Sequence, residues 1–372
     1  MPNLDISKIE AQIKKTGFVL EYKLASLLQK AGWHVISNRY YVDDHEESIR
    51  EIDLLAYKIS KIHDVSIYTT LIISCKKSEA NNWVMLTRDI DLKAPNSDWW
   101  PLHAWTNDIA IKYKLNQKGT AKKYHDDLNK QGVKHALELP QREVFAFQEM
   151  DKKSGAPQND KPIFSSITSL MKAQAYEVNS LSSRKKDVAV YQFNLLTIVD
   201  TELANVHFKD DSIKAYSTDS EHYIARYIIH KKETISRIRF INAEKFESYI
   251  EDYNKLHAQN CEWFSASIKD FYHDIVKNPD RASVLFEEFR KKSSWFYRIF
   301  SSANKTDDFS DLSIEWRNDI NKIAVVSQAM TNDVIAELES REYVNLHTKT
   351  ILRNVYRYEG EFIYSLSEDI PF

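Results

Sequence analysis

The sequence predicts an α/β fold in which helices flank a mixed central sheet and a helical C-terminal region follows. Two segments, 50–58 and 67–76, have the length of strands and carry apolar residues on both faces. An amphipathic segment, 18–31, precedes them, and a strand, helix and strand pattern follows over 143–199. We therefore expect one α/β domain over about 1–258 and a helical region over about 259–372.

The composition is that of a globular protein. Of the 372 residues, 43% are hydrophobic and 28% are charged. No apolar run approaches the roughly 20 residues that a membrane span needs, and the N-terminus lacks the pattern of a signal peptide. The two cysteines, Cys75 and Cys261, cannot form a disulfide framework. These features predict a cytoplasmic protein that does not enter a membrane.

The net charge of −3 argues against a protein that coats nucleic acid through bulk positive charge. A nucleic-acid partner would therefore have to meet local basic patches. The run Arg184-Lys185-Lys186 is one candidate.

The first amphipathic helix is predicted by the spacing of Leu20, Leu24, Leu28 and Ala31, which lie on one face. Glu21 lies at the edge of that apolar face. A glutamate in this position can extend past the helix toward whatever the helix covers.

The two strands that follow each carry a polar group on an apolar background. In 50–58, Asp53 faces away from Ile52 and Leu54. In 67–76, Ser74 and Lys76 share one face, opposite to Cys75. If the strands are neighbours, Asp53 and Lys76 meet on one face of the sheet.

The rest of the chain is assigned from the same periodicities. We predict strands at 143–148, 188–199, 223–230 and 235–241, a helix over 163–178, and a second helix that begins at Phe246. After Cys261 there is little strand pattern, and the sequence predicts helices over 262–277, 281–300 and 313–346.

An aspartate and a lysine that meet on one sheet face suit phosphodiester hydrolysis. Magnesium is held by one or two carboxylates together with waters and substrate phosphate. A nearby lysine orients the attacking water and stabilises charge on the phosphoryl group. Asp53 and Lys76 supply these groups, Glu21 could reach them from the helix, and the Cys75 backbone carbonyl is a further candidate metal ligand.

The order of these groups resembles a known nuclease family. The helix Gly17-Phe18-Val19-Leu20-Glu21 is followed by Glu51-Ile52-Asp53-Leu54-Leu55-Ala56, then by Ile73-Ser74-Cys75-Lys76-Lys77-Ser78 and Trp83. This order resembles the PD-(D/E)XK superfamily, the restriction-endonuclease-like nucleases, and within it the Mrr-like and Holliday-junction-resolvase-like members.

The resemblance implies a restriction-endonuclease-like fold with Glu21 as the helix glutamate, Asp53 as the metal aspartate and Lys76 as the catalytic lysine. It implies a DNA endonuclease that uses Mg²⁺, with Mn²⁺ as a substitute, and that acts on double-stranded DNA. It also implies a setting in prokaryotic restriction or antiphage defence.

Ser74 departs from the family pattern, which places an acid or a glutamine two residues before the lysine. A serine holds a metal only weakly or through a water. Two alternatives follow: either Glu21, or else Glu51 or Glu79, supplies the missing charge, or the chain is an inactive nuclease-fold subunit that binds DNA or a partner protein. In both cases we expect the C-terminal region to mediate self-association or partner binding.

Overall fold

A computed structural model of the protein describes residues 6–43, 47–94, 97–300 and 308–367. The chain forms two compact units, 1–265 and 266–372. The boundary between them lies within one long helix, Phe246–Tyr272, which also contains the predicted boundary at residue 258. In the described ranges, no helix is long and apolar enough to cross a membrane.

The first unit combines helices with two sheets. Its helices are α1 (Ile6–Ile13), α2 (Phe18–Lys30), α3 (Ile109–Leu115), α4 (Thr120–Lys130), α5 (Lys161–Arg184) and α6 (Phe246–Tyr272). The strands of its larger sheet are β1 (His34–Val42), β2 (Ile49–Ile62), β3 (Val65–Lys77), β5 (His103–Thr106), β8 (Ala189–Asp200), β11 (Ser220–Ile229) and β12 (Lys232–Asn242). The smaller sheet contains β4 (Asn81–Asp89), β6 (Arg142–Asp151), β7 (Pro157–Gln158), β9 (Leu203–Lys209) and β10 (Ser212–Thr218).

The larger sheet is mixed. Its strands run in the order β1-β2-β3-β8-β12-β11, with β5 paired to β8. β2 is antiparallel to both of its neighbours, β1 and β3, whereas β3 and β8 are parallel, and so are β8 and β12. The parallel step from β3 to β8 requires a crossover, and α5 immediately precedes β8.

Helices cover both faces of this sheet, as the two-sided apolar pattern of β3 predicts. The apolar side of α5, including Ile167 and Leu170, joins the core that contains Ile72. Side chains alternate along a strand, so Thr69 points to the opposite face. There the α6 residue Asn260 donates a 2.8 Å hydrogen bond to Thr69 Oγ1. The predicted mixed sheet with flanking helices is therefore confirmed.

The second unit contains strands as well as the expected helices. It contains the 3₁₀ helix Ile275–Lys277, α7 (Pro279–Ser283), α8 (Phe286–Phe300), β13 (Ser313–Arg317), β14 (Lys322–Ser327), α9 (Asn332–Ser340), α10 (Glu342–Tyr356) and β15 (Phe362–Leu366). The predicted helix over 313–346 is wrong in its first half, where β13 and β14 pair with each other, whereas its second half is helical as α9 and the start of α10. β15 completes the sheet by pairing with β14.

The physical reason lies in a short hairpin. Asn321 adopts a positive φ of 52°, which turns the chain between β13 and β14. The run from Ile323 to Val326 then fills the interior, with every side chain at most 2% exposed. A short apolar run of this kind does not distinguish a strand from a buried helix by periodicity.

Candidate functional site

The predicted aspartate and lysine lie on neighbouring antiparallel strands. The ladder between β2 and β3 pairs Leu54 with Ile73, which brings Asp53 opposite Ser74. Asp53 and Lys76 both line one cavity of about 380 Å³. The strand register therefore brings together the two groups to which the sequence assigned the chemistry.

Asp53 is fixed by the end of β3. Its Oδ2 atom accepts a 2.6 Å hydrogen bond from the Cys75 amide and a 3.3 Å hydrogen bond from Ser74 Oγ. Because both contacts use Oδ2, a cation at Asp53 would bind chiefly through Oδ1. Ser74 is only 4% exposed and is not among the described residues that line the cavity.

Cys75 contributes its backbone and not its thiol. Burial raises the pKa of the thiol well above its usual range, and the negative charges of Asp53 and Glu21 raise it further. A thiol in this state is a poor nucleophile. Cys75 also does not line the cavity, among the residues that the structure describes.

Glu21 approaches the same charges from the first turn of α2, and α2 packs on β1, β2 and β3. Partial burial raises the pKa of Glu21, the charges of Asp53 and Glu51 raise it further, and Lys76 lowers it. Glu21 therefore lies within electrostatic range of the predicted site. It does not itself line the cavity, as far as the described chain extends.

Glu51 and Glu79, the alternatives to Glu21 for the charge that Ser74 lacks, each have a partner of their own. Glu51 lines the cavity but is exposed, and it accepts a hydrogen bond from Asn38. Glu79 is exposed and forms an ion pair of 3.1 Å with Lys77. Of these three glutamates, Glu21 is the one that is partly buried, and it is therefore the best candidate for a metal ligand.

The helix α5 forms a wall that the sequence did not assign to the site. It contributes polar and apolar lining residues, namely Lys161, Phe164, Ser165, Thr168, Ser169 and Lys172. Lys172 Nζ binds both carboxylate oxygens of Asp43, at 3.0 and 2.8 Å. The polar positions recur at helical spacing opposite the apolar face, a pattern that marks the polar side of the helix but does not say which strands it faces.

The cavity combines four basic with three acidic side chains: Arg50, Lys76, Lys161 and Lys172 with Asp43, Glu51 and Asp53. Among the described residues, no group of three or more His, Cys, Asp or Glu side chains is placed to hold a metal ion. Asp53 and Glu21 are the carboxylates that interact electrostatically with each other beside Lys76. A cation held by these two would take its other ligands from water and substrate.

A scan against models of protein families, a search of the curated proteins and a search of the solved structures each found no match. The functional assignment accordingly depends on the geometry of the cavity and on the chemistry of the side chains around it.

Proposed function

We propose that this protein is a magnesium-dependent DNA endonuclease with a restriction-endonuclease-like fold. The observation that carries the proposal is the presence of Asp53 and Lys76, from two adjacent strands, in the lining of one cavity. A carboxylate and an amine in one cavity supply the charges that phosphodiester hydrolysis requires.

Each residue has a distinct part in this proposal. Asp53, with Glu21 approaching from α2, would hold the cation. Lys76 would orient the attacking water and stabilise the charge that develops on the phosphoryl group. A bound magnesium ion acts as a Lewis acid and lowers the pKa of a coordinated water. Lys161, on the wall of the cavity, attracts the DNA phosphates, and Lys172 holds that wall to Asp43.

The topology supports the same proposal. The cavity lies where β2 and β3 meet the N-terminal half of α5, which precedes the parallel strand β8. Asp53 and Lys76 belong to the rigid sheet, and rigid elements hold reacting groups more accurately than loops do.

A second candidate is a catalytically inactive nuclease-fold subunit that binds DNA or a partner protein. The observation that favours it is the burial of Ser74, whose hydroxyl is bonded to Asp53. In this alternative, the hydrogen bonds of Asp53 stabilise the end of β3 and the basic wall of α5 binds the ligand without cleavage.

Nicking of supercoiled plasmid across a series of magnesium and manganese concentrations decides between these candidates. We expect cleavage by the parent protein and none by Lys76→Ala. Lys77→Ala is the matched control, because Lys77 binds the Lys14 carbonyl and Glu79 outside the cavity. Cleavage that survives in Lys76→Ala would refute the catalytic role, and a parent that never nicks favours the inactive subunit.

We also propose that the second unit mediates self-association. Four large apolar side chains on α8 and α10 are each more than half exposed: Trp295, Ile299, Tyr343 and Leu346. Trp295 and Tyr343 both pack near the ring of Phe296, at centroid distances of 5.7 and 5.8 Å. An apolar patch shared by two neighbouring helices is typical of a protein interface.

A further inference from the structure

A row of aromatic side chains crosses the larger sheet beyond the proposed active site. The row has one member on each of five neighbouring strands: His34 on β1, Tyr57 on β2, Tyr68 on β3, Tyr191 on β8 and Trp105 on β5. Tyr68 and Tyr191 stack at 4.0 Å with an interplanar angle of 5°, and His34 and Tyr57 stack at 5.1 Å.

Part of this row opens into a second cavity, here called the aromatic cavity, of about 240 Å³. Tyr57, Tyr68 and Tyr191 line it from the sheet, and Leu181 and Arg184 line it from α5. The three tyrosines are only half-buried. Stacking on Tyr191 covers one face of Tyr68, and stacking on His34 covers part of Tyr57. A planar ligand would therefore contact the exposed part of the rings that remains.

The edge of the aromatic cavity is positively charged. Glu177 accepts a 2.6 Å hydrogen bond from Arg39 Nε and another from Arg184 Nη2, so two guanidinium groups share one carboxylate. Lys185 Nζ lies 5.2 Å from the centre of the Tyr68 ring. This combination of stacked rings and surplus cations suits a base with its phosphate.

The aromatic cavity continues from the proposed active site along the same helix. Residues 161–172 of α5 line the Asp53–Lys76 cavity, and residues 177–184 line the aromatic cavity. Lys172 and Leu181 are about 14 Å apart along a helix that rises roughly 1.5 Å per residue. Asp53 and Tyr57 are about 13 Å apart along a strand that rises roughly 3.3 Å per residue.

We propose that the aromatic cavity binds an unpaired nucleobase of the strand whose phosphodiester lies at Asp53 and Lys76. This inference rests on the proposed function and names its substrate class: single-stranded DNA, or duplex DNA with locally unpaired bases. A base inside an intact duplex cannot enter, because both its faces are stacked and its edge is paired.

The test is equilibrium binding by the full chain in EDTA, so that no cleavage occurs. The probes are a fluorescent single-stranded oligonucleotide of about 16 nucleotides and a blunt duplex of the same sequence. We expect tighter binding of the single strand. Tyr57→Ala should weaken that binding about 5- to 150-fold, whereas Tyr57→Phe, which keeps the ring, should bind like the parent.

A charge variant keeps the inference testable if Tyr57→Ala does not fold. Arg184→Gln should lower the slope of log affinity against log salt by about 0.7, the loss of one phosphate contact to a single strand. Lys214→Gln, on the exposed strand β10, is the control and should leave the slope unchanged. Circular dichroism confirms that each variant is folded.

The result that would overturn the inference is equal binding of single strand and duplex, equal binding by Tyr57→Ala and Tyr57→Phe, or an unchanged salt slope in Arg184→Gln. Its failure is distinct from that of the proposed function. If the parent cleaves plasmid but substitution of Tyr57 has no effect on binding, the inference about the aromatic cavity is refuted and the proposed nuclease function is not. If binding depends on the Tyr57 ring but the protein never cleaves DNA, the proposed nuclease function is refuted and the inference about the aromatic cavity is not.

Discussion

The backbone amide of Cys75 donates a 2.6 Å hydrogen bond to Asp53 Oδ2. The ladder between β2 and β3 ends at Leu54 and Ile73, and just beyond it this side chain spans the two strands. Asp53 therefore stabilises the end of β3 through this hydrogen bond, and it also carries the negative charge that the proposed chemistry uses. The two roles can be separated by substitution.

Asp53→Asn should abolish cleavage with little loss of stability, because the amide oxygen still accepts from the Cys75 amide. Asp53→Ala should also abolish cleavage, and it should lower the free energy of unfolding by about 1–3 kcal/mol, because the Cys75 amide loses its acceptor. Plasmid nicking and urea unfolding measure the two effects. Equal stability of the two variants would show that the hydrogen bond does not hold β3.

Ser74→Glu should make the protein's thermal stability depend on a divalent cation. Ser74 is 4% exposed and bonded to Asp53, so a glutamate there places a second negative charge in a buried position beside the first. Without metal, like-charge repulsion and burial destabilise the fold. A bound cation neutralises both charges, so the midpoint temperature should rise with magnesium or manganese.

Ser74→Gln is the matched control, since it has the same size as glutamate and no charge. Its midpoint temperature should not respond to either cation. If Ser74→Glu also fails to respond, Asp53 and the new carboxylate do not form a cation site. Nicking by Ser74→Glu at lower magnesium than the parent requires would indicate that the parent is limited by metal binding.

The sequence could predict the sheet and the central pair of the site, because both depend on local pattern. The two-sided apolar pattern indicates central strands, and the alternation along each strand places Asp53 and Lys76 on the same face if the strands are neighbours. It could not predict the hydrogen bond from Ser74 Oγ to Asp53, since that contact joins residues 21 positions apart. Nor could it assign Lys172 to the cavity, because only the crossover before β8 brings α5 over Asp53.

Glu21→Gln should stabilise the protein at neutral pH and leave it unchanged in acid. The folded-state pKa of Glu21 lies above its usual 4.5, so the folded protein holds this proton more tightly than the unfolded chain. Ionised Glu21 therefore lowers the free energy of unfolding. This loss is absent below the usual pKa of glutamate, grows as the pH rises toward the raised pKa, and is complete above it.

Urea unfolding of the parent and of Glu21→Gln between about pH 4 and pH 8 measures this dependence. The two stability curves should converge at the acid end and separate toward neutrality. Magnesium should narrow the separation, because a bound cation offsets the repulsion from Asp53 and Glu51. If the two stability curves stay parallel across this pH range, burial and the charges of Asp53 and Glu51 do not raise the pKa of Glu21.

Leu346→Glu should reduce self-association without unfolding the protein. Leu346 is 62% exposed and belongs to the apolar patch on α8 and α10, so a charge there opposes an apolar contact while the core remains intact. An exposed substitution of this kind changes stability by about 0.5 kcal/mol or less. Light scattering after size exclusion, over a range of protein concentrations, should show a larger parent species and a smaller variant.

Ile228→Glu is the control for this experiment, because Ile228 is 69% exposed on β11 of the first unit. It adds the same charge to an exposed aliphatic position without touching the patch, so the mass of its assembly should equal that of the parent. A parent that remains monomeric at every concentration would exclude self-association. If the assembly of Leu346→Glu has the same mass as that of the parent, the interface lies elsewhere on the molecule.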